Sequence, residues 1–260
     1  MILNEIVENK KGEIQILKEQ FNKFIKLPNL VDIFPPIMDF KSAISKKDKI
    51  ALIAEVKKAS PSAGIIVENF EPSKIAETYE NSGAAAISVI TDAKYFQGML
   101  TYLKNIKEVS KIPVLRKDFI IDEVQLLESR MAGSDAVLLI ARILDESQLK
   151  AFYEKCAQYS LSAIVECHDE KDIEKALSTS AKIIGINNRD LDKQQVDFNT
   201  SLKLITKFPE LKSKILVSES GITSKSQVGE LKSAGFSAVL IGEVLLRSKD
   251  ISAKIKELGF

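Results

Sequence analysis

Ile50-Ala-Leu-Ile-Ala-Glu-Val-Lys-Lys-Ala-Ser-Pro-Ser-Ala-Gly64 begins as a buried strand and ends as a polar loop. From Ile50 to Val56 the residues are aliphatic, with β-branched Ile50, Ile53 and Val56, apart from one carboxylate, Glu55. Side chains alternate between faces along a strand, so Ala51, Ile53, Glu55 and Lys57 share one face and Leu52, Ala54 and Val56 the other. One face therefore runs apolar, apolar, acid, base toward the strand's C-terminal end. A buried charge is costly unless it is paired or used. Alone, the stretch reads equally as a surface ion pair at a strand end or as the floor and rim of a polar pocket.

The pattern outward from this stretch is regular. Strands are predicted near 50–56, 86–90, 112–116, 136–140, 161–166, 182–186, 214–218 and 237–241. Helices are predicted near 72–81, 99–109, 122–131, 145–158, 169–178, 199–206, 224–234 and 250–258. The strands are almost wholly apolar, as strands covered on both faces should be. Eight βα units make an α/β fold, and eight in about 210 residues favour a closed (β/α)8 TIM barrel over an open sheet. Three helix-to-strand junctions repeat one pattern, at Ser82-Gly83, Ala132-Gly133 and Ala234-Gly235. Each glycine ends a helix in the left-handed conformation, and their spacing of roughly two and four units keeps the register. Residues 1–47 read as an N-terminal helical extension. Two helices are expected there, one on Ile2, Leu3, Ile6 and Val7 and one on Leu17, Phe21, Phe24 and Ile25. A connection through Pro28, Pro35 and Pro36 and a short turn at Phe40, Ala43 and Ile44 follow. No stretch resembles a linker, so 1–260 is expected to be a single barrel domain, with the barrel itself from 48 to 260.

Composition excludes several classes. The 260 residues are 45% hydrophobic and 28% charged, with a net charge of +1, so the overall field points to neither nucleic acid nor membrane. Cys156 and Cys167 lack a metal-type spacing and imply no disulfide framework, which suits a reducing cytoplasmic setting. A single histidine, His168, excludes multi-histidine zinc sites. The N-terminus, with Glu5, Glu8 and Glu13, is not a signal peptide, and apolar runs are too short to span a membrane.

In such barrels the site lies at the C-terminal strand ends. There the sequence places Glu55 and Lys57, then Thr91 to Gly98 with its aromatics, Arg116-Lys117-Asp118-Phe119, Arg142, Glu166, Asn187 to Asp190, Ser218 to Gly221, and Gly242-Glu243. The opposite ends carry no comparable set, so solvation alone does not explain the convergence. Ser220-Gly221 after the seventh strand and Gly242 after the eighth suit phosphate held by backbone N–H groups.

The segments Ile53 to Ser62, Leu115 to Ile120, Val165 to Glu170, Gly185 to Leu191, Ser218 to Ile222 and Leu240 to Glu243 resemble indole-3-glycerol phosphate synthase. The resemblance runs in order from near residue 2 to near residue 247 and includes the opening helix. It implies a carboxy-lyase of tryptophan biosynthesis. The substrate would be 1-(o-carboxyphenylamino)-1-deoxyribulose 5-phosphate and the products indole-3-glycerol phosphate, CO2 and water, with no metal or organic cofactor. By resemblance Lys117 is the general acid and Glu166 the base. Glu55 holds substrate and helps dehydration, Asn187 hydrogen-bonds substrate or Glu55, and Lys57 holds phosphate or orients Glu55. Phe96, Phe119 and Leu138 match the slot for the aromatic ring. Ser60, Arg189, Glu219 and Ser220 match substrate contacts, and Gly221, Gly242 and Glu243 the phosphate cradle. Ala63, Arg116 and Val244 depart from the usual family pattern.

Two other readings compete with this one. A phosphoribosylanthranilate isomerase-like enzyme needs a cysteine/aspartate pair at the first and fourth strand ends, whereas Glu and Lys stand at the first. A catalytically inactive phosphate-binding barrel is at odds with the intact set of Glu55, Lys57, Lys117, Glu166 and Asn187. The expected partner is a small phosphorylated substrate. The chain is expected to be a cytoplasmic monomer, associating at most weakly with other enzymes of its pathway, with mobile loops at Ser60–Gly64 and Thr91–Gly98.

Overall fold

The structure is a computed structural model that describes residues 2–25, 33–46, 48–190 and 195–260. Eight parallel strands close on themselves: β1 (Ala51–Val56), β2 (Ala86–Ile90), β3 (Val114–Lys117), β4 (Ala136–Ile140), β5 (Ser162–Cys167), β6 (Ile183–Asn187), β7 (Ile215–Glu219) and β8 (Ala238–Ile241). Each strand pairs with the next in sequence, and β8 returns to β1 with Ala51 opposite Ala238. All the expected strands and helices of the barrel are present, with ends shifted by a residue or two. Left-handed φ angles of 93°, 89° and 102° at Gly83, Gly133 and Gly235 make the three junctions.

The alternation read from the first strand is the alternation of the wall. Ile53, Leu115, Leu138, Ile164, Val217 and Leu240 fill the barrel interior. Leu52, Ala54, Val56, Val89, Leu139 and Val165 face the surrounding helices. Helices start where short polar side chains bind the exposed N–H groups. Asp122 with Gln125, Asp145 with Gln148 and Ser224 with Gln227 form reciprocal capping boxes.

The N-terminal segment departs from expectation. One helix, α1 (Ile2–Ile25), stands where two were expected. Its packed stripe is Leu3, Ile6, Lys10, Ile14, Leu17 and Phe21, continuous at helical spacing. Lys10 interrupts the apolar pattern yet is only 3% exposed. Asn9 and Lys10 both reach Glu13 across Gly12, at 2.6 and 2.8 Å, and support the turn that the glycine weakens. Pro28 lies outside the described residues. The turn at Phe40 is present as α2 (Phe40–Ile44). Phe40 and Ile44 pack among Ala51, Ala86, Ala136 and Ala238, which closes the barrel at the N-terminal ends of its strands. The other end stays open.

Candidate active site

A cavity of about 390 Å³ occupies the C-terminal end of the barrel. Every site residue expected from the sequence lines it except Ser60. The loop after β1 folds into a small hairpin, with Ala59–Ser60 paired to Gly64–Ile65. Ser60 Oγ accepts the backbone N–H of Ala63 at 3.2 Å within it. Ser60 lines an adjoining cavity of about 80 Å³, shared with Ile2, Leu3 and Ile6 of α1 and with Lys57, Phe96, Phe119 and Arg189.

At the floor, Lys117 at the end of β3 meets two carboxylates. Its Nζ lies 3.0 Å from Glu166 Oε2 and 2.9 Å from Glu219 Oε2. Burial opposes the lysine's charge, but Glu166, Glu219 and Glu55 outweigh it and raise the pKa above that of a free lysine. Glu55 is tied to Lys57 Nζ at 2.5 Å. Burial works against Glu55's ionisation too, but Lys57 and Lys117 hold its pKa below the ordinary glutamate value. Asn187 is buried at the end of β6, and its Oδ1 accepts the backbone N–H of Arg189 at 3.0 Å.

Glu166 and Glu219 are pushed apart. Burial, with Glu166 as a like charge nearby, raises the pKa of Glu219. Burial works the same way on Glu166, yet Lys117 and His168 more than offset it and keep Glu166 ionised. His168 was missed as a site residue. Its Nε2 stands 3.2 Å from Glu166 Oε1. The available signal was its position, two residues after Glu166 and therefore on the same side of the chain. Gly185 was missed as well. A Cβ there would overlap Glu219 Oε1, and one at Gly242 would overlap Glu55 Oε1. Gly242, expected as a phosphate donor, thus also makes room for a carboxylate.

Above this floor the wall turns apolar. The rings of Phe96 and Phe119 lie 6.1 Å apart at 38°, and Leu138, Ile140 and Leu240 continue the surface. On the far side the chain passes through left-handed φ angles of 66° at Ser220 and 77° at Gly221. Beside it, the turn Glu243–Leu246 begins at Gly242, and Val244 and Arg247 line the cavity with it. Arg116, one of the departures, turns away from the cavity. It is buried against Asp118, Glu128 and Thr91 at 3.0, 2.7 and 3.0 Å, so it meets the pocket only through Asp118 on the cavity lining. Among the described residues no group of three or more His, Cys, Asp or Glu is arranged to hold a metal ion. None of the described helices is long and apolar enough to cross a membrane.

The family model described as indole-3-glycerol phosphate synthase matches residues 3–258. A relative of that name from Endomicrobium trichonymphae is 47% identical over 259 residues, covering 99% of each chain. Another from Desulforamulus reducens is 43% identical over 258 residues, covering 99% of this chain and 97% of its own. Among solved structures, 3-hexulose-6-phosphate synthase superposes with a TM-score of 0.62 at 15% identity, over 80% of this chain and 98% of that one. That likeness reaches only the fold. A family match over nearly the whole chain, joined to relatives above 40% identity, means that this chain belongs to the indole-3-glycerol phosphate synthase family.

Proposed function

We propose that the cavity carries out its family's reaction, the conversion of 1-(o-carboxyphenylamino)-1-deoxyribulose 5-phosphate to indole-3-glycerol phosphate, CO2 and water, with the residues in the following roles. The aromatic carbon bearing the carboxylate attacks the ketone carbon. As that bond forms, negative charge grows on the ketone oxygen and Lys117 gives it a proton, leaving a hydroxyl. The bond to the carboxylate then breaks, CO2 departs, and its electron pair restores the aromatic ring. Finally Glu166 takes a proton from the new ring while Glu219, as the protonated acid, gives one to the hydroxyl, which leaves as water.

The observation that carries this reading is Lys117 held as an ammonium between Glu166 and Glu219. A buried cation aimed at the cavity stabilises an oxyanion far better than one in water. Glu166, kept ionised, is suited to the base role. Two carboxyl groups pushed apart in pKa divide acid and base duties, and Glu219 is the one inclined to keep a proton. Lys57, 2.5 Å from Glu55, orients it for substrate binding and dehydration. Asn187, Arg189, Ser60 and Ser220 contact the sugar and carboxylate portions. Phe96, Phe119 and Leu138 bracket the aromatic ring. Lys57 and the backbone at Gly221, Gly242 and Glu243 take the phosphate. Val244 adds only apolar surface there, so the backbone carries that contact.

The working form is read as a cytoplasmic monomer. Sedimentation at the mass of a dimer would overturn that.

The reaction is tested by following indole-3-glycerol phosphate fluorescence with wild type, Lys117→Ala and Glu166→Gln. Wild type is expected to form product, and each variant to lose about 10²–10⁴-fold in turnover while staying folded. Wild-type turnover in either folded variant would sink that residue's role. No product from folded wild type would sink the reaction itself.

A further inference from the structure

His168 is the chain's only histidine. It touches the carboxylate assigned as the base, yet none of the steps above uses it. Its side chain is 2% exposed, so water does not supply its contacts. Nε2 lies 3.2 Å from Glu166 Oε1, an ion-pair distance whose N–H direction falls outside hydrogen-bond geometry. Nδ1 lies 3.3 Å from Asp172 Oδ2 on the helix Glu170–Ser178. Asp172 is itself fixed. Its Oδ2 accepts the backbone N–H of His168 at 3.0 Å, and its own backbone N–H goes to Asp169 Oδ1 at 3.0 Å. Arg142 Nε stands 3.6 Å from the same Oδ2.

We propose that His168 is a positioning residue for the reaction: anchored by Asp172, it holds Glu166 by Oε1 and thereby fixes Oε2 beside Lys117, in the orientation that receives the proton. The inference rests on the reading of Glu166 as the base. A carboxylate gripped at one oxygen can still swing, and a grip at both oxygens removes that freedom. Loss of alignment by about 1 Å costs on the order of 10²-fold in rate. An imidazole backed by a fixed carboxylate has its own orientation set. Here both ring nitrogens face carboxylates, and only the protonated ring presents a positive charge to both.

The surrounding charge supports that state. Glu166 on β5, Glu219 on β7, Asp172 on the helix Glu170–Ser178 and Asp169 at its N-cap favour the proton, while Lys117 on β3 and Arg142 after β4 oppose it. Burial also opposes it, but Asp172 and Glu166 prevail and raise the pKa of His168 to about 9. The cation in turn keeps Glu166 ionised.

The test is the pH profile of kcat and KM, from about pH 3 to about pH 9, for wild type, His168→Ala, His168→Gln, Asp172→Asn and Glu166→Gln, with thermal melting to establish folding. His168→Ala is expected to lower kcat about 10- to 100-fold with KM changed less than about threefold. Its acidic limb should move to higher pH, because Glu166 has lost a neighbouring cation. His168→Gln, which keeps a polar side chain against Glu166 but not the charge, is expected to recover part of kcat but not the position of the limb. Asp172→Asn should move the limb the same way by less. A folded His168→Ala with the wild-type kcat and limb overturns the positioning role and leaves Glu166 as base. If His168→Ala does not fold, a wild-type profile in Asp172→Asn overturns it. Wild-type turnover in Glu166→Gln removes the base assignment, and the role of His168 with it.

Discussion

Gly185 and Gly242 govern how closely two buried carboxylates lie against the barrel wall. A Cβ at Gly185 would overlap Glu219 Oε1 and stand 2.9 Å from Ile164 Cγ2. Glu219 is also held by Lys117, so it cannot retreat without loosening the ammonium. Gly185→Ala is therefore expected to lower kcat by about 10-fold or more and to cost about 1–3 kcal/mol through overpacking. Turnover and a urea titration on the same preparation check both. A variant with wild-type turnover would mean that Glu219 has room to move. Gly185 shows where the sequence falls silent. Order along the chain puts Glu55, Lys117, Glu166, Asn187 and Glu219 at one rim, because strand ends in a closed barrel converge. It does not say which strand's backbone lies beneath which side chain on the next. Gly185 faces Glu219 through the β6–β7 pairing, 34 residues away in sequence. His168 escaped notice for another reason: an isolated histidine is more often a satisfied core residue than a functional one.

At the scale of elements, α1 is joined to the barrel mouth by one buried charge. Lys10 Nζ lies 2.9 Å from Asp118 Oδ1, 3.1 Å from Asp92 Oδ2 and 2.8 Å from Glu13 Oε2. Asp92 Oδ2 makes no hydrogen bond among the described residues, so Lys10 balances it. Asp118 is also held by Arg116 and Thr91. Removing one partner of a buried ion pair costs about 3–5 kcal/mol, because the other charge is stranded. Lys10→Met keeps the length of the side chain and removes the charge. It is expected to lose stability near the low end of that range, since Arg116 still serves Asp118. Adding Asp92→Asn should restore part of the loss. Urea unfolding of the single and double variants measures both, and a single variant as stable as wild type would show that α1 is held by apolar contacts alone. The same lysine explains why one helix was read as two. Binary patterning treats a charged residue as a solvent position, so Lys10 split a stripe that runs unbroken through Leu3, Ile6, Ile14, Leu17 and Phe21. In the barrel helices buried polar residues such as Arg130 and Asp172 sit within otherwise apolar stripes, and the boundaries were legible to within a residue or two.

For the whole molecule, the buried charges set how stability depends on pH. Asp118 feels burial raising its pKa, but Arg116 and Lys10 win and hold it well below the usual carboxylate range. Glu55 and Glu166 are likewise depressed. A group whose pKa is lower folded than unfolded contributes stability above the unfolded value and loses it as pH falls toward the folded one. These carboxylates therefore begin to weaken the fold as pH drops below their unfolded values, 3.8 for Asp118 and 4.5 for the glutamates. His168 has the opposite sign. Its pKa rises from 6.5 unfolded to about 9 folded, so its contribution is complete below 6.5 and fades as pH climbs through about 9. That shift corresponds to at most about 3 kcal/mol. Glu219, also raised, adds to the same alkaline decline, because above its unfolded value of 4.5 folding must either keep a proton on it or bury its charge. Urea midpoints are thus expected to peak near about pH 5, to fall steeply in acid where several carboxylates act together, and to fall more gently from there toward pH 9. His168→Gln should flatten the alkaline limb and leave the acid limb in place. A wild-type midpoint that stays level or rises from pH 6.5 to pH 9 would mean that His168 is not held as a cation, leaving Lys117 alone to keep Glu166 ionised.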